Sequence, residues 1–121
     1  MRHTLAFAGL LSLACATDPS APNALQGSWA ADIGVPGASL VINLDQAGGV
    51  ISGTGTYSIE AGRSGTLQID GTYDPPSVAL VIRRDVGSVS TYTGTIVDAR
   101  HLSGTMVDAL GHGAPLTFTR R

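Results

Sequence analysis

From Gly27 onward the chain alternates apolar and polar residues with a period of two. Leu40, Ile42 and Leu44 share one face, while Asn43 and Asp45 take the other. Ile51, Tyr57 and Ile59 oppose Ser52, Thr54, Thr56 and Ser58, and Leu67, Ile69 and Tyr73 oppose Thr66, Gln68, Asp70 and Thr72. The pattern returns with Val78, Leu80 and Ile82, with Tyr92 and Ile96, with Leu102 and Met106, and with Leu116 and Phe118. Successive side chains on a strand point to opposite faces, so this pattern predicts strands with one apolar face and one Thr/Ser face. Eight are expected, over residues 27–32, 38–46, 50–60, 64–74, 77–84, 90–98, 101–108 and 114–120. No window beyond the first residues shows the 3.6 period of a helix.

The links between these segments are short and rich in Gly, Pro and Asp, as in Ala47-Gly48-Gly49, Asp74-Pro75-Pro76 and Gly111-His112-Gly113. Links this short join antiparallel neighbours, whereas parallel strands need long crossovers. A weak repeat runs through Gly53-Thr54-Gly55-Thr56-Tyr57, Ile69-Asp70-Gly71-Thr72-Tyr73, Tyr92-Thr93-Gly94-Thr95-Ile96 and Leu102-Ser103-Gly104-Thr105-Met106, with its central Gly on the apolar face. Mid-strand glycines mark tight bending or room for a facing large side chain. The expected fold class is all-β, an eight-stranded antiparallel up-and-down meander barrel. An open meander and a two-sheet sandwich are the alternatives. A membrane-spanning barrel would alternate in the same way with its apolar face outward, but several segments are shorter than the ~9–11 residues a spanning strand needs.

The N-terminal residues follow another pattern. Met1-Arg2-His3 and the apolar run Thr4 to Ala14 read as a signal peptide, too short to cross a bilayer as a helix. Two cleavage readings compete. Leu11-Ser12-Leu13-Ala14-Cys15 resembles a bacterial lipobox, which makes Cys15 the lipidated N-terminus of the mature chain. Ala14-Cys15-Ala16 also meets the small-x-small rule, which would release a chain starting at Thr17. Lipidation at Cys15 is the preferred expectation. Residues 16–25, rich in Pro, Ala and small polar residues, read as a flexible linker. The organisation is thus a signal peptide with lipidation cysteine at 1–15, a linker at 16–25 and a barrel domain at 26–121.

Composition narrows the picture. The chain has 121 residues and a formal net charge of −2, and its basic side chains are all Arg. Removing the leader takes Arg2 with it, and no basic cluster remains that could neutralise a row of phosphates; no nucleic-acid partner is expected. The single cysteine allows no intrachain disulfide.

Gly27-Ser28-Trp29 opens the first strand, with eight meandering strands from there on. This resembles the calycin group, lipocalins and avidins, whose barrels begin with a Gly-x-Trp element. It also resembles small bacterial lipoproteins with lipocalin-like barrels. The resemblance implies that an Arg of the last strand stacks on that Trp and closes the barrel base; here the pair is Trp29 and Arg120. No polar set like a biotin pocket accompanies the motif.

Candidate chemistry is sparse. His101 and His112 sit at turns with Asp98 and Asp108 nearby, without the spacing of a metal site. No nucleophile-base signature or inward carboxylate pair is present, so no catalytic residue, metal or cofactor is assigned and an enzyme is not expected. The interior candidates for ligand contact are Trp29, Tyr57, Tyr73, Tyr92, Met106 and Phe118. The expected function is an exported, lipid-anchored binding or interaction module of the bacterial cell envelope, with membrane contact through the anchor only. Its partner is an envelope protein. A carrier holding a small hydrophobic ligand inside the barrel is the alternative, and a soluble periplasmic or secreted form is the alternative location.

Overall fold

The computed structural model describes residues 24–33, 37–59 and 62–121. The expected signal peptide, Cys15, most of the linker and Glu60 lie outside the described residues. Eight strands form: β1 (Gly27–Asp32), β2 (Ser39–Ala47), β3 (Val50–Ile59), β4 (Arg63–Asp74), β5 (Ser77–Arg84), β6 (Val89–Asp98), β7 (His101–Val107) and β8 (Gly113–Arg120). Each pairs antiparallel with its neighbours in sequence, and β1 pairs with β8 to close the barrel. No strand boundary departs from the sequence expectation by more than one residue. One departure has a clear cause. The Asp108 carboxylate accepts the backbone N–H groups of Leu110 and His112, which bends Asp108 out of β7 and into the turn.

The apolar face points inward. Leu40, Ile42, Leu44, Ile51, Leu67, Ile69, Val78, Leu80, Ile82, Leu102, Leu116 and Phe118 form one buried cluster, while the Thr/Ser face meets the outside. This is the reverse of the orientation a lipid-facing barrel needs. Gly53, Gly55, Gly71, Gly94 and Gly104 share the inner face, where the strands approach closely. A Cβ at Gly71 would lie 2.2 Å from the Ala79 carbonyl oxygen and 2.7 Å from Leu80 Cδ2. The missing side chain therefore lets β4 coil against β5 and lets Leu80 lean across it.

Up-and-down connectivity gives the barrel two distinct ends. The proximal end carries Ala24, where the described chain begins, and the β2–β3, β4–β5 and β6–β7 hairpins. The distal end carries the connections β1–β2, β3–β4, β5–β6 and β7–β8. At the proximal end the sequence reading needs a correction. Leu25, placed in the linker, is fully buried in the core. Its N–H donates to Gln46 Oε1 at 2.8 Å, and its carbonyl accepts the Trp29 indole N–H at 3.0 Å. One leucine among Pro and Ala residues has no periodicity to betray it. It is held because the indole donor, once buried, must find an acceptor.

Candidate functional site

The lumen is filled by side chains. Trp29, Ile42, Tyr92, Leu102 and Phe118 have no accessible surface. A water-sized void beside any of them would expose some of it, so none lines a hollow. Tyr92 and Phe118 meet edge to face, with centroids 5.1 Å apart. The Tyr92 hydroxyl points at the carbonyls of Leu116 (2.8 Å) and Leu102 (3.2 Å), which ties β6 across the interior to β7 and β8. The phenol is thereby spent on the fold.

Burial pushes the Tyr92 pKa up from its ordinary value to about 12. An unfolded chain releases that proton near pH 10, so above it the unfolded state binds fewer protons than the folded one. Stability should fall as pH rises from about 10 to about 12, by at most about 2.7 kcal/mol. Tyr92→Phe should abolish this loss and cost about 1–2 kcal/mol at neutral pH. Chemical denaturation across the alkaline range checks both; a parent and variant with parallel alkaline profiles would contradict the role given to the hydroxyl.

Trp29 and Arg120 seal the proximal end. The Arg120 guanidinium lies over the indole, with Cζ 4.3 Å from the ring centroid. Its Nε donates to Ala99 O at 2.9 Å, and its Nη atoms donate to the carbonyls of Gln26 and Ala24. Partial burial lowers its pKa, yet a guanidinium keeps its charge at any ordinary pH. One side chain thus gathers the β6–β7 turn, the segment before β1 and the indole.

A second arginine over an aromatic ring stands at the distal end. Arg84 continues the inward parity of Val78, Leu80 and Ile82, and its Cζ lies 4.5 Å from the Tyr57 ring centroid. The Tyr57 hydroxyl donates to Asp85 Oδ1 at 2.9 Å. Gly65 makes room for this arrangement, since a Cβ there would sit 2.5 Å from that hydroxyl. The sequence reading missed Arg84 and Asp85, although strand parity, carried one step past Ile82, points to Arg84. Tyr73 is buried in the wall beside the β2–β3 hairpin, where its N–H donates to Gly49 O at 2.9 Å.

Met106 is the interior candidate that meets open space. It lines a groove of about 860 Å³ where β1 and β8 part. The two strands pair only at Trp29↔Arg120 and Ala30↔Thr119, whereas β3 and β4 pair along ten positions. Which backbone groups are left open follows from the ladders. Asp108 N donates to His112 O and Arg120 N to Arg100 O, so even-numbered residues of β8 hold β7. Hydrogen-bonding direction alternates along a strand, so Gly113, Pro115, Thr117 and Thr119 turn their backbone groups toward β1. On β1, Ile33 N donates to Ala38 O and Ser28 O accepts from Arg121 N. Asp32 therefore faces β8, at the place where Thr117 would meet it. Pro115 fits this edge, since its missing N–H would have pointed into the seam.

That assignment has a direct test. Thr117→Pro removes an N–H that has no partner in the β1 ladder and should change stability by less than about 1 kcal/mol. Thr105→Pro, equally exposed on β7, removes a ladder donor to β6 and should cost more than about 2 kcal/mol. Urea midpoints of the two variants compare them; equal losses would mean that the seam is closed.

The distal end also carries most of the exposed large apolar residues. Leu110 is 81% exposed and Val86 66%, with Ile33 and Val89 beside their own strands' ends. Asp32, Asp108 and His112 border the groove, with His112 Nδ1 3.3 Å from Asp108 Oδ2. Backbone N–H donation from His112, then from Leu110, holds the Asp108 carboxyl below the usual carboxylate range, so it is charged at neutral pH. His101 makes a similar pair with Asp98, at 2.9 Å, at the proximal end. Among the described residues, no three His, Cys, Asp or Glu side chains converge as a metal site would require. The chemistry on offer is apolar contact, backbone hydrogen bonding and a carboxylate rim. Comparison with known proteins gives no matching family model and no matching curated protein.

Proposed function

We propose that this chain is an exported interaction module of the bacterial cell envelope, tethered through lipidated Cys15, which contacts an envelope protein with its distal end. The observation that carries the reading is the polarity of the barrel: the groove, Leu110, Val86, Val89 and Ile33 all lie at the end opposite Ala24. Exposed apolar residues gathered at one end of a barrel, beside an apolar groove, favour an interaction surface there. A tether at Cys15 would reach the proximal end through residues 16–24, at most ~30 Å when extended, and would present the distal end away from the membrane. The filled lumen favours this reading over a carrier.

Two measurements test it. Intact mass of the chain from the membrane fraction should show a diacyl or triacyl modification on Cys15; an unmodified chain beginning at Thr17 would end the lipoprotein reading. A photoreactive residue at Leu110 or Ala114 of the full chain should give a discrete adduct with one envelope protein. The same probe at Val50, exposed at the proximal hairpin, should not. Equal adducts from all three positions, or none, would count against the distal end as a contact surface.

A further inference from the structure

The chemistry of the seam narrows the class of partner segment, and this step rests on the reading of the chain as an interaction module. We propose that the seam between β1 and β8 receives one extended peptide segment, which adds to the free edge of β8 as a strand and sets a basic side chain against the Asp32 and Asp108 carboxylates.

Three observations meet in this place. First, the ladder stops at Ala30↔Thr119, so Thr117 and Asp32 turn their backbone groups toward each other beyond its last pair, outside the β1–β8 ladder. Open edge groups are a template for an incoming strand, and such strands bind through main-chain hydrogen bonds with alternate side chains in pockets. Second, the floor beneath those edges is apolar: Ala31, Met106, Ala114 and Leu116 line it, with Ile33 and Pro115 among the other lining residues. Small residues at 31 and 114 leave room there for the inward side chains of a guest. Third, the rim is acidic. Among the described residues, Asp32 and Asp108 line the groove, no Arg does, and the only other titratable side chain is His112, already against Asp108. A charged partner segment is therefore favoured when basic and disfavoured when acidic.

Pro115 limits the pairing. It offers a carbonyl but no donor, so a guest strand gains reciprocal bonds at Thr117 and only an acceptor beyond it. The contact is short. Most of its discrimination falls to the side chains and the rim.

The test uses the purified mature chain and a synthetic peptide, acetyl-Lys-Val-Thr-Val-Lys-amide, with amide hydrogen exchange read residue by residue. At saturation the Thr117 and Asp32 amides should exchange at least about tenfold more slowly, since an amide outside the ladder becomes a bonded one. The matching peptide with Asp in place of both Lys should leave them unprotected, and added salt should weaken the Lys peptide. Dodecanoate serves as the apolar control. Peptide-induced shifts at Met106 and Leu116 without slowed Thr117 exchange would overturn strand addition. So would equal protection by the acidic peptide, or dodecanoate displacing the peptide while giving the same protection. Adducts from Leu110 in the envelope together with unprotected seam amides would sink this inference alone and leave the interaction module standing.

Discussion

Trp29→Ala should cost the chain at least about a third of its folding stability, whereas Arg120→Ala should cost far less. The indole is fully buried at the proximal end, and removing it opens a large cavity in the hydrophobic core that the described residues form. Truncating a buried Trp costs about 3–5 kcal/mol on this account alone. Two further losses follow. The Leu25 carbonyl loses its indole donor, and the Arg120 guanidinium loses the ring beneath it. A domain of this size has a total stability on the order of 5–15 kcal/mol, so a loss near 5 kcal/mol takes between about a third and all of it. Arg120→Ala removes the stack and three hydrogen bonds to carbonyls that water can partly satisfy, and should cost about 2 kcal/mol. Denaturant unfolding followed by far-UV circular dichroism separates the two. A Trp29→Ala chain as stable as Arg120→Ala would mean that the plug of Leu25, Trp29 and Arg120 does not close the core.

The contrast between these residues also marks what the sequence could carry. Strand parity put Trp29, Tyr92 and Phe118 inside and the Thr faces outside, because alternation is a local property that burial on one side enforces. Parity also held Arg120 on the inner face with Leu116 and Phe118, but its meeting with Trp29 was named only because the Gly-x-Trp resemblance implies such a stack. Leu25 was not legible, since nothing periodic surrounds it and its place depends on a hydrogen bond to an indole four residues on. The seam was not legible for a different reason. Six residues of β1 could pair with eight of β8, and no local pattern states that only two pairs form. Pro115 was the one sign in the sequence, a proline inside a strand, which is tolerated only where a donor is not needed.

Function follows the same division. Interior aromatic residues look like ligand contacts when a barrel is imagined hollow, and Tyr57, Tyr73 and Tyr92 carry hydroxyls that could orient a guest. In the folded chain Tyr92 is bonded to the backbone and Tyr57 to Asp85, and the fully buried side chains leave the middle of the barrel closed. Met106 alone of the six reaches the groove. The consequence is a division of labour between the ends: the proximal one closes the core, and the distal one leaves backbone edges and apolar tips exposed. Local opening free energy is expected to be lowest along the β1–β8 seam, because few bonds hold it, and binding surfaces draw on such regions.

Gly104→Ala should be among the most damaging single-atom additions in the chain. A methyl group there would lie 2.2 Å from the Thr93 carbonyl oxygen, 2.5 Å from Gly94 Cα and 2.8 Å from the Thr93 carbonyl carbon. All three are backbone atoms of β6, so no side-chain rotation relieves the clash and the two strands must separate. Overpacking of this kind costs about 1–3 kcal/mol where side chains can yield, and the upper end is expected where they cannot. Propensity works in the opposite direction, since Ala is normally better than Gly inside a strand by roughly 0.5–1 kcal/mol. Gly113→Ala is the matched control: its nearest neighbours are Thr105 Cγ2 at 3.5 Å and Val107 Cγ2 at 3.6 Å, ordinary contact distances. That variant should be neutral or slightly stabilising, while Gly104→Ala should lose about 3 kcal/mol. The pair therefore separates backbone crowding from propensity, which predicts the same sign for both. If urea midpoints move together in the two variants, β6 and β7 do not approach as closely as the inner face of the barrel requires. If they diverge as expected, the recurrent glycine of the Gly-Thr repeat is explained by contact between neighbouring backbones, with turn formation playing no part.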